Sequence, residues 1–279
     1  MRLVLVTASV VAVCTSCGTA RFAGGEDSVV AGFYPLAFAA RQVGGPGLDV
    51  VDLTPPGAEP HDLEPTPREV AGIREAQVVL LLGRGFQPQL EEAAGAAQNV
   101  VRLLDTPGLG VHPNGDPHVW LDPVRFARLI TRVGAVLRRP GAARRLAARL
   151  QALDGEYRRG LAHCARRDIV TSHEAFAYLA ERYGLRHVAI AGLSPEAEPS
   201  PGKLADVAAL VRARGVTTIF FETLVSPRIA ETVARETGAK TARLDPIEGL
   251  TPAERARGES YLSLMRENLA ALRTGLGCR

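Results

Sequence analysis

Apolar positions along this chain switch repeatedly between two periods. Short branched runs at Ser28–Ala31, Leu48–Leu53, Val78–Leu82 and Val100–Leu104 read as strands, several apolar throughout as in sheets covered on both faces. Helical spacing fills the gaps, over Tyr34–Val43, Arg68–Ala76 and Phe86–Ala97. Thr66-Pro67 supplies the cap and first turn of the second of these helices. A further helix over Val124–Arg138 puts Phe126, Leu129, Ile130, Val133 and Leu137 on one face. After Pro140-Gly141, Leu146, Leu150, Leu153, Tyr157, Leu161 and Cys164 keep 3/4 spacing, which predicts the longest helix of the chain over 142–164.

The alternation then resumes. Strands are expected at Ile169–Thr171, Arg186–Ala191, Val216–Phe221 and Thr241–Leu244. Helices are expected at Ala175–Tyr183, Lys203–Arg214, Pro227–Thr237 and Ala253–Leu276, the last with a break near Gly258. Gly184 is placed to end its helix in a left-handed cap. The pattern predicts an α/β fold of two β/α lobes with mostly parallel sheets, over 28–140 and 165–279, joined by one long linker helix over 141–164.

Composition narrows the functional classes. Lys+Arg 33 against Asp+Glu 30 leaves a formal charge of +3, and aromatics are 5% of the chain, which argues against nucleic acid as a partner. No Gly-x-Gly-x-x-Gly or phosphate-binding loop opens any helix, so a nucleotide enzyme is not indicated.

The N-terminus reads as an address. Met1-Arg2 precedes an uncharged apolar run from Leu3 to Val13, too short to span a bilayer and suited to the core of a signal peptide over 1–16. Thr15-Ser16-Cys17-Gly18 resembles a lipoprotein signal-peptidase site, with Cys14 departing from the Leu usual at its position. The expected product begins at a lipidated Cys17, followed by a tether over 17–27, outside the cytoplasm. Cys164 and Cys278 then remain: paired, they would close a loop of 114 residues; unpaired, one would stand near the C-terminus of an oxidising-space protein.

Candidate chemistry gathers at strand ends, where ligand groups collect in open α/β sheets. His61 follows the second strand and His118 the fourth, in the Gly/Pro-rich loop Asp105–Asp122. His173 follows Ile169–Thr171, and Asp245 follows Thr241–Leu244. Three imidazoles and a carboxylate suit Zn2+. Glu222, at another strand end, is either an acceptor that orients a ligand histidine or a charge near the following helix. His112 shares the long loop and is a candidate for assisting capture; His163 and His187 read as structural or surface residues. Trp120, between Asp116-Pro117-His118 and Asp122-Pro123, reads as packing that fixes the loop under the site.

Four segments sharpen this. Glu59-Pro60-His61-Asp62-Leu63-Glu64-Pro65-Thr66-Pro67, Asp116-Pro117-His118-Val119-Trp120-Leu121-Asp122-Pro123, Thr171-Ser172-His173-Glu174-Ala175-Phe176-Ala177-Tyr178-Leu179 and Leu244-Asp245-Pro246-Ile247-Glu248-Gly249-Leu250 resemble, in order, the signature segments of solute-binding proteins of zinc/manganese ABC transporters. The resemblance implies two lobes bridged by a long helix. It also implies His61, His118, His173 and Asp245 as metal ligands, and a monomer that hands its ion to an ABC permease at the membrane. Manganese members resemble this pattern but usually carry Glu where His173 stands; imidazole there favours Zn2+ over Mn2+. Many zinc members carry a long acidic, His-rich loop before the second histidine, whereas Asp105–Asp116 holds only His112. The rival expectations are a zinc hydrolase with an open water position, or an adhesion lipoprotein with a structural metal.

Overall fold

The computed structural model describes residues 28–279. The signal segment over 1–16, Cys17 and the tether to residue 27 lie outside the described residues.

Strands β1 (Ser28–Ala31), β2 (Asp49–Asp52), β3 (Val78–Leu81) and β4 (Val100–Arg102) form a parallel sheet in the order β2-β1-β3-β4. Strands β5 (Asp168–Thr171), β6 (Arg186–Ala189), β7 (Thr218–Phe221) and β8 (Lys240–Arg243) form a second parallel sheet in the same relative order, β6-β5-β7-β8. Each sheet therefore reverses its winding between its first and third strands, which opens a crevice at their carboxyl ends.

Helices α1 (Tyr34–Gly44), α2 (Pro67–Glu75) and α3 (Pro88–Ala93) serve the first sheet. Thr66 caps α2 in a reciprocal capping box with Glu69, as Thr66-Pro67 predicts. Helices α4 (Pro123–Val136) and α5 (Pro140–Gly160) follow, and α6 (Ala177–Tyr183), α7 (Pro201–Arg214), α8 (Arg228–Thr237), α9 (Pro252–Ala256) and α10 (Tyr261–Leu276) serve the second sheet. Gly184 ends α6 in the left-handed conformation, and Gly258, at φ 73°, separates α9 from α10.

Burial follows the period of two. Val29 and Ala31 of β1, with Ile169 of β5 and Phe220 of β7, face a core that runs without interruption through both lobes. Val30, Val51, Val79 and Leu81 face a separate core on the outer side of the first sheet, and Val170 and Ile219 its counterpart in the second. The stripe on α5 feeds the shared core: Leu146, Leu150, Leu153 and Tyr157 are buried there, and the Tyr157 hydroxyl donates to the carbonyl of Met265 on α10.

The pattern predicts α5 as far as Cys164, but the helix stops at Gly160. The carbonyls of Leu161 and Ala162 are taken by Arg167, and that of His163 by the N–H of Arg279. Cys164 is bonded to Cys278, which draws the chain into a short antiparallel bridge with the C-terminus. Of the two cysteine alternatives, the structure has the disulfide.

Candidate metal centre

His61 lies on the loop between β2 and α2. That loop is tied down by Gln87, whose Nε2 donates to the carbonyls of Gly32 and Pro60, each at 3.1 Å. The N–H of Gly57 donates to the carbonyl of Leu250, so the loop also meets the second lobe. The His61 ring rests edge-on against Phe86.

His118 enters from a single 3-10 turn over Val119–Leu121 that leads into α4. Asp122 caps α4 by accepting from Val124 and Arg125, and Pro123 begins it. Asp116 acts on the other side: its Oδ1 accepts the His118 backbone N–H at 3.0 Å and meets Nδ1 at 2.7 Å. Trp120 packs beneath, fully buried, edge-on to Phe33, with Nε1 donating to the carbonyl of Pro246 at 2.7 Å.

His173 follows β5 and Glu222 follows β7, on the two sides of the second lobe's winding reversal. Oε1 of Glu222 accepts the His173 backbone N–H at 3.2 Å and lies 2.6 Å from Nδ1. Of the two expectations for Glu222, the structure realises the contact with the histidine.

Nδ1 of His118 is bonded to Asp116, Nδ1 of His173 lies against Glu222 without a well-aligned hydrogen bond, and the Nε2 atoms of both turn to one point. They are 3.3 Å apart. Oε1 of Glu248 stands 3.1 Å from Nε2 of His118, 3.4 Å from that of His61 and 3.6 Å from that of His173. A tetrahedron of ligands about 2.05 Å from a zinc ion has edges of roughly 3.3 Å, and the His118–His173 separation and the three from Glu248 lie close to that length. The four can each offer an atom within 4.8 Å of the others, and they form a potential metal-binding group among the described residues. The side chains of His118, His173 and Glu248 are fully enclosed, and His61 is 11% exposed, which makes His61 the donor nearest solvent. Nε2 of His61 and Oε2 of Glu248 are buried without a hydrogen-bond partner.

Asp245 is the correction. It was expected beside the three histidines, and the carboxylate that meets them is Glu248, three positions later. Asp245 is committed elsewhere: Oδ2 accepts the Thr223 hydroxyl and Oδ1 the Ile247 N–H, both at 2.7 Å. Asn268 on α10 clamps its backbone, accepting the Asp245 N–H and donating to the Asp245 carbonyl. Between the two carboxylates, Ile247 sits at φ +57°, fully buried. A β-branched residue there is a true backbone outlier, costing about 1–3 kcal/mol, and it survives only where its surroundings over-determine it.

The electrostatics are those of protons held between bases. Burial opposes charge on His173, but Glu222 and Glu248 outweigh it and hold its pKa up at about 10. Burial likewise opposes charge on His118, and its bonds to Asp116 and Glu248 raise it above the ordinary value. Burial alone would raise Glu248; its bond to His118 and the facing imidazoles of His173 and His61 hold it well below the usual carboxylate range. Glu59, whose Oε1 accepts the His61 N–H, is pushed up to about 9 by burial and by the Glu248 charge. Burial likewise pushes Asp245 up to about 6, against the Thr223 hydroxyl bond.

The remaining histidines lie apart from the group. His187 meets the Thr171 hydroxyl at 2.7 Å, and burial lowers its pKa to about 4, which keeps it neutral. His163 is exposed beyond the end of α5. His112 stacks on Tyr178 at 3.9 Å and meets Glu181 at 3.0 Å. Sequence reasoning overlooked Glu248 and Asp116, although both stand inside the segments that held the expected ligands.

Comparisons with known proteins agree with this architecture. The family model for the zinc-uptake complex component A, periplasmic, matches residues 29–275. The zinc-binding lipoprotein AdcA of Streptococcus pneumoniae is 35% identical over 92% of this chain and 57% of its own length. The chain thus spans little more than half of that relative. The high-affinity zinc uptake system protein ZnuA of Bacillus subtilis is 32% identical, covering 94% of this chain and 93% of the relative. Among solved structures, the Zn(II)-bound ZnuA-like domain of Streptococcus pneumoniae AdcA superposes with a TM-score of 0.76 at 35% identity, covering 90% of this chain and 99% of that domain.

Proposed function

This chain belongs to the family of zinc-uptake complex component A proteins, and from that premise we propose that it captures Zn2+ between its lobes and yields it to an ABC permease for uptake. One observation carries the reading: three imidazoles and one carboxylate converge within 4.8 Å of one another, with the Glu248 oxygen 3.1 to 3.6 Å from all three Nε2 atoms, close to the edge lengths of a zinc tetrahedron. His61, His118, His173 and Glu248 are the proposed ligands. Asp116 and Glu222 fix the ring orientation of two of them and strengthen their basicity.

The donor set argues for zinc over manganese. Three nitrogens to one oxygen suits the softer ion, which the Irving–Williams order also favours. The site itself argues against a zinc hydrolase. A catalytic zinc keeps one position for water, whereas four protein donors stand here in a pocket nearly closed to solvent.

Cargo release belongs to the same proposal. The core is continuous through both lobes and along α5, which favours small lobe motion, with the ion freed by movement of its ligands. A lipid on Cys17 would hold the protein on the outer face of the membrane; a lipoprotein carries more than one acyl chain, enough for stable anchoring.

The test is the zinc content of the purified chain beside His173→Ala and Glu248→Ala. The wild-type chain retains zinc through desalting, and each variant loses it; unchanged zinc in both variants would sink the assignment. A carrier also gives its ion to a chelator and stays folded by circular dichroism. Unfolding on chelation would favour a structural metal, as in the adhesion reading.

A further inference from the structure

Resting on the ligand assignment above, we propose that Asp245 is a positioning residue: with Thr223 and Asn268 it locks the strained turn at Ile247 that thrusts Glu248 into the metal site. The carboxylate that misses the histidines thereby acquires a role.

The segment from Asp245 to Leu250 leaves the second lobe and crosses toward the first. At its origin it is tied by hydrogen bonds from Thr223, just beyond β7, and by both bonds of the Asn268 amide on α10. Next to its origin the Pro246 carbonyl accepts from Trp120, and at its far end the Leu250 carbonyl accepts from Gly57, both donors in the first lobe. Glu248 is suspended between these anchorages. Its side chain is fully buried, its Oε2 has no partner, and its Oε1 faces all three imidazoles.

The direction of that suspension depends on Ile247. With φ in an extended or right-handed region, the chain after Pro246 would run elsewhere and Glu248 would leave the histidines. Nothing in isoleucine favours φ +57°. What holds it there is the N–H bond to Oδ1 of Asp245, an Asx-type closure two residues back, with the other oxygen pinned by Thr223. Asp245 acts through Glu248 and needs no contact with the ion.

This separates charge from shape. An amide can still accept the Ile247 N–H and can donate to the Thr223 oxygen, so Asp245→Asn keeps the turn. Asp245→Ala removes both bonds. The experiment measures zinc affinity by competition with a chromophoric chelator, the d–d absorption of the Co2+-loaded protein, and the melting temperature of the metal-free protein. It compares wild type with Asp245→Ala, Asp245→Asn, Thr223→Val and Glu248→Gln.

Loss of a residue that orients a ligand lowers metal affinity by about 10- to 100-fold. We expect that loss in Asp245→Ala, together with a weakened tetrahedral Co2+ spectrum resembling that of Glu248→Gln. Asp245→Asn should return both to near the wild-type values, and Thr223→Val should fall between. Wild-type affinity in Asp245→Ala would overturn the proposal, as would an Asp245→Asn as impaired as Asp245→Ala. Should the alanine variant fail to fold, Thr223→Val decides: an unchanged Co2+ spectrum and affinity there overturn it as well. A Glu248→Gln protein with wild-type affinity and spectrum would instead remove Glu248 from the ligand set, a failure of the underlying assignment that these arms tell apart from a failure of the turn.

Discussion

At the scale of residues, the site is a competition between a metal ion and protons for the same lone pairs. In the metal-free protein His173 titrates near 10, and His118 is also raised, because Glu222, Asp116 and Glu248 face them. His173 therefore holds a proton at neutral pH that an incoming ion must expel. Calorimetry at pH 7.5 in buffers of different ionisation enthalpy should show net proton release on zinc binding; a buffer-independent heat would contradict it. Affinity should fall steadily as pH drops below neutrality. Stability of the metal-free protein follows the opposite sign for the same groups. A histidine raised in the folded state contributes fully below its unfolded value of about 6.5, and the contribution is lost as pH rises through the folded value, about 10 for His173. Glu248, depressed, contributes above the ordinary carboxylate range and loses that contribution as pH falls through its own lowered value.

At the scale of elements, α5 is the member both lobes share. Leu150 is fully buried on its stripe, in the core that runs through both lobes, on a helix packed against α1, α4 and α10. Replacing it with alanine should cost about 2–5 kcal/mol, the lost transfer energy plus the cavity left behind. Because the core around it is continuous, the loss should appear as one shifted transition in urea rather than as early melting of one lobe. Two resolved transitions would show that the lobes are cored separately. The stop of α5 at Gly160 has a cause that helical spacing does not carry: the carbonyls beyond it are claimed by Arg167 and by Arg279.

At the scale of the whole molecule, the Cys164–Cys278 bond joins the end of the linker to the end of α10, across a separation of 114 residues. Loop-closure arguments assign such a crosslink about 4–5 kcal/mol, and measured values are commonly lower. The paired Cys164→Ser, Cys278→Ser variant should melt at a lower temperature than the wild-type protein and still bind zinc with the same stoichiometry, because its loss acts on the unfolded chain. Loss of zinc binding with the fold intact would tie the crosslink to the site.

The two halves of the chain divide the credit between sequence and structure unequally. Element types and their order were legible throughout, because branched apolar runs and 3/4 spacing are local signals, and caps such as Thr66 and Gly184 act within one turn of the chain. The parallel two-lobe architecture followed from that alternation. His61, His118 and His173 could be singled out because each stands shortly after a strand or inside a proline-stiffened segment. Choosing between Asp245 and Glu248 could not be done this way. Both lie in one seven-residue segment, and the one adjacent to the strand was the natural choice. Which carboxylate reaches the imidazoles is set by the positive φ of Ile247, held by the Asp245 carboxylate, which in turn is fixed by Thr223, Asn268 and the crossing to Trp120 in the other lobe. Those partners are distant in sequence, so only the tertiary structure could decide it: the local pattern says that a carboxylate belongs here, and long-range contacts say which one.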